Sequence, residues 1–302
     1  MLYEWGNYYL DHSELPGAAV YHLMSVTKDP EYAPSLYKLA YIYHQTDRPA
    51  MRDHYLNKAV DSGFWGYEVM LEDFEDLSET MPFQELVRRA RDHYPDGAKA
   101  YIGLYEVAMP EGEAPESGWP ILVCLHGWGD DHISYRNVAS LAKGVGFAGV
   151  CIAGNVPRSP DRFGWSTEDV ADTHRYVQSI LERAAADRPL DTKRVYLMGF
   201  SQGARHAGEL AAIYPGSYVG ATAYCPGPDV ENVTDGHATD NHRPIRVLLG
   251  KDDPYLEYGR EATEKWSEAN PNVTVEQFDG EHHFPPDWQQ NLSDTLSDLL
   301  VE

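Results

Sequence analysis

The chain is poor in cysteine, poor in lysine, and lacks any long apolar run. Three cysteines in 302 residues are too few for a disulfide framework to carry the fold. Cys124, Cys151 and Cys225 each sit in or beside a short apolar segment, the setting of buried free thiols. The odd cysteine count, with a start (Met1-Leu2-Tyr3-Glu4) that lacks a basic segment and an apolar stretch, leads to the expectation of a cytoplasmic protein. No apolar stretch approaches the ~20 residues that cross a bilayer, so no membrane span is expected. Lysine supplies 8 of 24 basic residues against 48 acidic ones, and the formal net charge is -24. A field of that sign repels polyanions, which excludes nucleic acid and anionic membrane surfaces as expected partners.

What the chain does have is a serine between glycines. Gly199-Phe200-Ser201-Gln202-Gly203 follows the apolar run Val195-Tyr196-Leu197-Met198 and precedes a helical pattern from Ala204 to Tyr214 that stops at Pro215-Gly216. Strand, sharp turn and helix in that order make a nucleophile elbow, which presents a serine hydroxyl at the end of a sheet. Glycines two residues either side admit the close backbone approach that such a turn forces.

A serine hydroxyl needs a base, and the base an orienting acid. In chain order Ser, acid, His, the acid is expected after the apolar strand Ile245–Leu249, where Asp252 and Asp253 stand. Asp253 takes precedence because Pro254 holds it extended. The strand Val273–Phe278 leads to Asp279-Gly280-Glu281-His282-His283; His282 is the expected base, with His283 as its alternative. Upstream, the strand Ile121–Leu125 runs into His126-Gly127-Trp128-Gly129-Asp130. The backbone N–H groups of Trp128 and Gln202 are the expected oxyanion donors. His126 reads as a structural residue that pins this loop. Arg158 and Trp165, on the loop side of the strand Phe147–Ile152, are expected substrate contacts. The loop Pro226–Pro244 carries His237, Asp240 and His242. Lacking paired cysteines and an HExxH register, it reads as an exposed flap rather than a metal centre.

Trp119-Pro120 leading to LHGWGDD, then GFSQGA, GKDDPY and GEHHFPPD, resembles the α/β-hydrolase superfamily. The likeness is greatest to its phospholipase/carboxylesterase and polyhydroxybutyrate-depolymerase-like branch, and it covers Ala98 to Leu300. It implies a mostly parallel sheet flanked by helices and hydrolysis of small-molecule carboxylic esters through an acyl-enzyme, without cofactor or metal. It also implies a triad of Ser201, Asp253 and His282 with an oxyanion hole at Trp128 and Gln202. Peptide cleavage would use the same machinery. A non-catalytic interaction protein on a hydrolase scaffold is the rival from another class.

Residues 1–95 differ in character, with tyrosines at helical spacing. An offset of 34 pairs Tyr3 with Tyr37, Gly6 with Ala40, Tyr9 with Tyr43 and Tyr21 with Tyr55. That is the tetratricopeptide period, and the segment resembles a degenerate pair of such repeats. The expected organisation is a small all-α domain over 1–95 and the α/β domain over 96–302, divided at the turn signal Tyr94-Pro95-Asp96-Gly97. The helices read first as a structural appendage that packs on the hydrolase domain or on another subunit, with a partner-docking or substrate-gating module as the alternative.

Overall fold

The computed structural model describes residues 1–167, 169–228 and 243–301. Two compact units are present: Met1–Tyr101 together with Arg158–Pro160, and Ile102–Pro157 together with Asp161–Glu302.

The first unit is helical: α1 (Leu2–Asp11), α2 (Leu15–Lys28), α3 (Ala33–Gln45), α4 (Pro49–Asp61), α5 (Tyr67–Asp73) and α6 (Met81–Lys99), with a 3-10 turn at Glu75–Leu77. Proline occupies the first turn of α2, α3, α4 and α6, where no intrahelical donor is lost. The 34-residue offset has a geometric counterpart. Tyr9 stacks on Tyr21 at 5.3 Å across α1 and α2, and Tyr43 stacks on Tyr55 at 5.5 Å across α3 and α4. Leu36, Tyr37, Leu56, Val69, Phe74 and Phe83 are among the residues of this unit's core.

The anticipated turn at Tyr94–Gly97 is absent, because α6 runs through Pro95 to Lys99. Proline there removes one helical hydrogen bond, and side-chain packing outweighs it. Gly97 lets the helix pass against the Trp65 ring, and Tyr94 and Tyr101 pack on that same ring at 5.8 and 5.4 Å. The contiguous part of the helical unit therefore ends at Tyr101 rather than 95.

The strands of the second unit are β1 (Tyr105–Ala108), β2 (Trp119–Leu125), β3 (Ala148–Ile152), β4 (Val156–Ser159), β5 (Arg162–Gly164), β6 (Leu190–Phe200), β7 (Gly220–Tyr224), β8 (Ile245–Gly250) and β9 (Val273–Phe278), except that Arg158 and Ser159 of β4 are grouped with the first unit. Seven of these form a sheet in the order β1-β3-β2-β6-β7-β8-β9, and β4 pairs with β5 as a separate ribbon. Only β1 runs antiparallel to its neighbour in the seven-stranded sheet. Its helices are α7 (Arg136–Gly144), α8 (Val170–Ala185), α9 (Gln202–Ile213), α10 (Leu256–Ala269) and α11 (Trp288–Val301).

Strand alternation sorts the two faces. Ile121, Val123, Leu125, Val195 and Leu197 share a core with residues of α8, α9 and α10. Leu122, Cys124, Tyr196 and Met198 share another with residues of α7 and α11. Both faces are covered, as a parallel sheet requires. The fold of this unit is the α/β-hydrolase arrangement, and the helices of the first unit precede it in the chain. The three cysteines are buried and free. Among the described residues no helix is long and apolar enough to cross a membrane.

Candidate active site

Ser201 stands between β6 and α9 with φ 53° and ψ -120°, a left-handed conformation that costs a non-glycine residue ~1–3 kcal/mol. The turn around it tolerates no side chain at two points. A Cβ on Gly199 would collide with the Gly203 carbonyl oxygen, and one on Gly203 with the Leu125 carbonyl oxygen. The strained residue is tied on both sides: its N–H donates to the Tyr224 carbonyl at 3.0 Å, and its carbonyl accepts from the Gly227 N–H at 3.0 Å. Gly227 also keeps the following loop off the hydroxyl, since a Cβ there would lie 3.1 Å from Ser201 Oγ. The serine is thus held at the C-terminal edge of the parallel strands, the ligand-binding edge of open α/β sheets.

The adjacent pairs Asp252/Asp253 and His282/His283 are separated by their partners. Asp253 is buried; its Oδ1 accepts the Tyr255 N–H at 2.7 Å, and its Oδ2 lies 2.8 Å from His282 Nδ1. An acceptor-only carboxylate on Nδ1 assigns the proton to that nitrogen and leaves Nε2 as the basic one. Asp252 is exposed, and its backbone N–H bonds the Gly280 carbonyl. His283 is exposed as well, with Nδ1 on the Phe284 carbonyl at 2.7 Å. The His282 ring packs between Phe200, at 4.9 Å, and Tyr255, at 5.0 Å. Phe200 directly precedes the serine.

Cys225 is a neighbour that the motif analysis did not single out. It is buried with φ 48°, and its thiol is pushed up to about 12 by burial, so it stays protonated. Its sulfur and donor atoms of Asp253 and His282 all lie within 4.8 Å of one another. Both Asp253 oxygens and His282 Nδ1 are already engaged by hydrogen bonds, so the trio fits a hydrogen-bonded acid–base pair better than a metal centre. His237, Asp240 and His242 lie outside the described residues.

The loop after β2 is braced from below by His126. Its Nδ1–H donates to the Gly127 carbonyl at 2.7 Å, and its Nε2 accepts the Gly154 N–H at 2.8 Å. Complete burial pushes it down to about 4, so it is neutral and structural, as expected from the sequence. Gly127 faces Ser201 closely, for a Cβ there would lie 3.3 Å from Ser201 Cβ. The Trp128 ring is half exposed and lies over Gly164. Gln202 opens α9, and its backbone N–H is at the positive end of that helix. Its side-chain amide is spent elsewhere, accepting the Trp165 N–H at 3.0 Å and donating to the Trp165 carbonyl at 3.2 Å.

Trp165 and Arg158 do not take the substrate-facing places expected of them. Trp165 is 1% exposed, and its Nε1–H donates to the His126 carbonyl at 2.8 Å. It links the loop after β2 to Gln202. Arg158 is grouped with the helical unit, where it is buried and its guanidinium pairs with Glu68 at 3.4 Å and with Glu72. A guanidinium engaged by two carboxylates is not free for a ligand. Tyr255 is the residue that sequence reasoning missed. It stands two positions after Asp253, its backbone N–H bonding that carboxylate and its ring meeting His282.

The sequence profile of the phospholipase/carboxylesterase family matches residues 108–299. The bifunctional acetylxylan esterase/xylanase XynS20E of Neocallimastix patriciarum is 32% identical over 170 residues, covering 54% of this chain and 22% of that protein. The chain thus matches well under half the length of that relative. Among solved structures, the Bacillus cereus carboxylesterase superposes with a TM-score of 0.54 at 18% identity, over 64% of this chain and 93% of the other. Esterase PE8 superposes with a TM-score of 0.51 at 17% identity, over 64% and 97%. At such identities the likeness speaks for the fold.

Proposed function

Since the chain belongs to the phospholipase/carboxylesterase family, we propose that it hydrolyses carboxylic esters of small or medium acyl chains as a serine esterase. Ser201 Oγ attacks the ester carbonyl while His282 Nε2 takes its proton, and Asp253 stabilises the resulting imidazolium. The oxyanion of the tetrahedral intermediate is received by the backbone N–H groups of Trp128 and Gln202, the latter strengthened by the α9 dipole. His282 then passes the proton to the departing alcohol. Water repeats the sequence to release the acid from the acyl-enzyme.

The observation that carries this reading is the 2.8 Å contact between His282 Nδ1 and a buried Asp253, on loops beside a serine in strained elbow geometry. Nothing in a structural role requires that combination. The esterase activity named for the Neocallimastix relative supports the ester over the peptide. Ser201→Ala should lower hydrolysis of a p-nitrophenyl ester series by on the order of 10⁴-fold or more and abolish labelling by a fluorophosphonate. Activity retained within tenfold would refute the mechanism.

The helical unit, with its paired stacked tyrosines at the 34-residue offset, supports a tetratricopeptide-like module that docks a protein partner or a second copy. Three buried, unpaired thiols support a reducing compartment, which we take to be the cytoplasm.

A further inference from the structure

Beside the triad lies aromatic surface that acyl transfer does not require. Tyr255 and Tyr258, at the start of α10, are 41% and 46% exposed, with ring centroids 6.4 Å apart. Both project from anchored backbone. The Tyr255 N–H bonds Asp253 Oδ1 at 2.7 Å, and the Tyr258 carbonyl accepts from the Arg205 guanidinium at 3.4 Å. Rings presented this way lose little freedom when a ligand covers them.

Their placement says which part of a substrate they address. His282 delivers its proton to the oxygen of the departing alcohol, and the Tyr255 ring meets the His282 ring edge-on at 5.0 Å. Gln202 and Trp128 serve the carbonyl oxygen instead. The tyrosines therefore flank the alcohol side of the scissile bond.

We propose that Tyr255 and Tyr258 form a leaving-group subsite for a neutral sugar ring, which makes the substrate an O-acylated carbohydrate. The proposal rests on the ester-hydrolase reading and narrows it. Tyrosine combines an apolar face with a polar tip, and at half exposure it suits a ring that is apolar on its face and hydroxylated at its rim. An alkyl chain needs a surface that excludes water, and these rings leave half of theirs wet. The exposed charges around them are Asp252, Glu281, the Glu257–Arg260 pair and the Lys251–Asp279 pair, net acidic on a chain of net charge -24. That field disfavours an anionic alcohol such as a phosphorylated headgroup and leaves a neutral sugar unaffected. In the reaction the Ser201 Oγ–acyl carbon bond forms and the bond from that carbon to the sugar oxygen breaks. The serine proton passes through His282 to the sugar oxygen, leaving a free hydroxyl.

The test is a ratio of kcat/KM for a mono-acetylated methyl xyloside to that for ethyl acetate, in the full chain. The wild type should prefer the sugar ester by more than the ratio of the two esters' hydroxide-catalysed hydrolysis rates. Tyr258→Ala should lower the ratio about tenfold, the worth of ~50 Å² of apolar contact with the sugar face, and Tyr258→Trp should restore it. A wild type that shows no preference, or a ratio that Tyr258→Ala leaves unchanged, overturns the sugar subsite. Preference for benzyl acetate, whose alcohol is a leaving group comparable to ethanol, over both esters overturns it in favour of an aromatic alcohol. In all these cases ethyl acetate turnover and fluorophosphonate labelling of Ser201 persist. Their joint loss in the wild type would instead refute the esterase reading, and the subsite with it.

Discussion

Replacing Asp253 by asparagine exchanges one oxygen for an NH₂ group and leaves the volume nearly unchanged. The two carboxylate oxygens have different tasks: Oδ1 accepts the Tyr255 N–H at 2.7 Å, and Oδ2 faces His282 Nδ1 at 2.8 Å. An asparagine that keeps its carbonyl on the Tyr255 N–H must turn its NH₂ toward His282. Nδ1 then has to accept, the ring proton moves to Nε2, and the histidine can no longer take a proton from Ser201. The same exchange in serine proteases removes about 10⁴ of rate, equivalent to about 5 kcal/mol of transition-state stabilisation. Asp253→Asn should therefore lower kcat on p-nitrophenyl acetate about 10⁴-fold with little change in KM, because the lost interaction acts in the transition state. Asp252→Asn, on an exposed side chain, should stay within a few-fold of the wild type. Thermal melting of both variants separates chemistry from unfolding. A folded Asp253→Asn protein within tenfold of the wild type, or an Asp252→Asn protein as damaged as it, would refute the assignment of the acid.

Two further outcomes follow from buried groups away from the triad. Burial pushes His206 down to about 3 and His126 down to about 4, against ~6.5 in the unfolded chain. Between these values the unfolded state binds protons that the folded state does not, so stability rises with pH across the window. It is complete above ~6.5 and is lost as the pH falls toward 4 and 3. Burial raises Glu209 to about 7, which acts with the opposite sign between ~4.5 and 7 and offsets one histidine. His206→Leu should flatten the fall in unfolding free energy, measured by urea titration, from pH 7 to pH 5 by about 2 kcal/mol; an unchanged fall would contradict the burial argument. Trp165→Phe removes the indole N–H from the His126 carbonyl, and kcat should drop about tenfold with KM nearly constant. A change confined to KM would point to substrate contact instead.

Much of this was legible in the residues. Gly199 and Gly203 had to be glycine because carbonyl oxygens stand where their side chains would be, and a strand–turn–helix reading anticipates that. The strands Ile245–Leu249 and Val273–Phe278 announce themselves as apolar or β-prone runs, and the residues after them fall at the sheet's C-terminal edge because parallel strands all end there. The places of Trp165 and Arg158 were not legible. Each follows a strand, as a ligand contact does, but a tryptophan N–H and a guanidinium go to whichever acceptors the fold brings near. Those acceptors were the His126 carbonyl and the carboxylates of Glu68 and Glu72, far away in sequence.

The sequence alone determined the layered α/β architecture, the elbow serine and the order of acid and histidine. These depend on local periodicity and on backbone geometry that only certain residues admit. Tertiary structure decided the choices that local patterns leave degenerate. It turned His282 rather than His283 toward Asp253, and it carried α6 through Pro95 on the strength of its packing against Trp65. It also set Tyr255 against the histidine. Each of those outcomes rests on a contact between residues distant in the chain, and a contact of that kind leaves no periodicity to read.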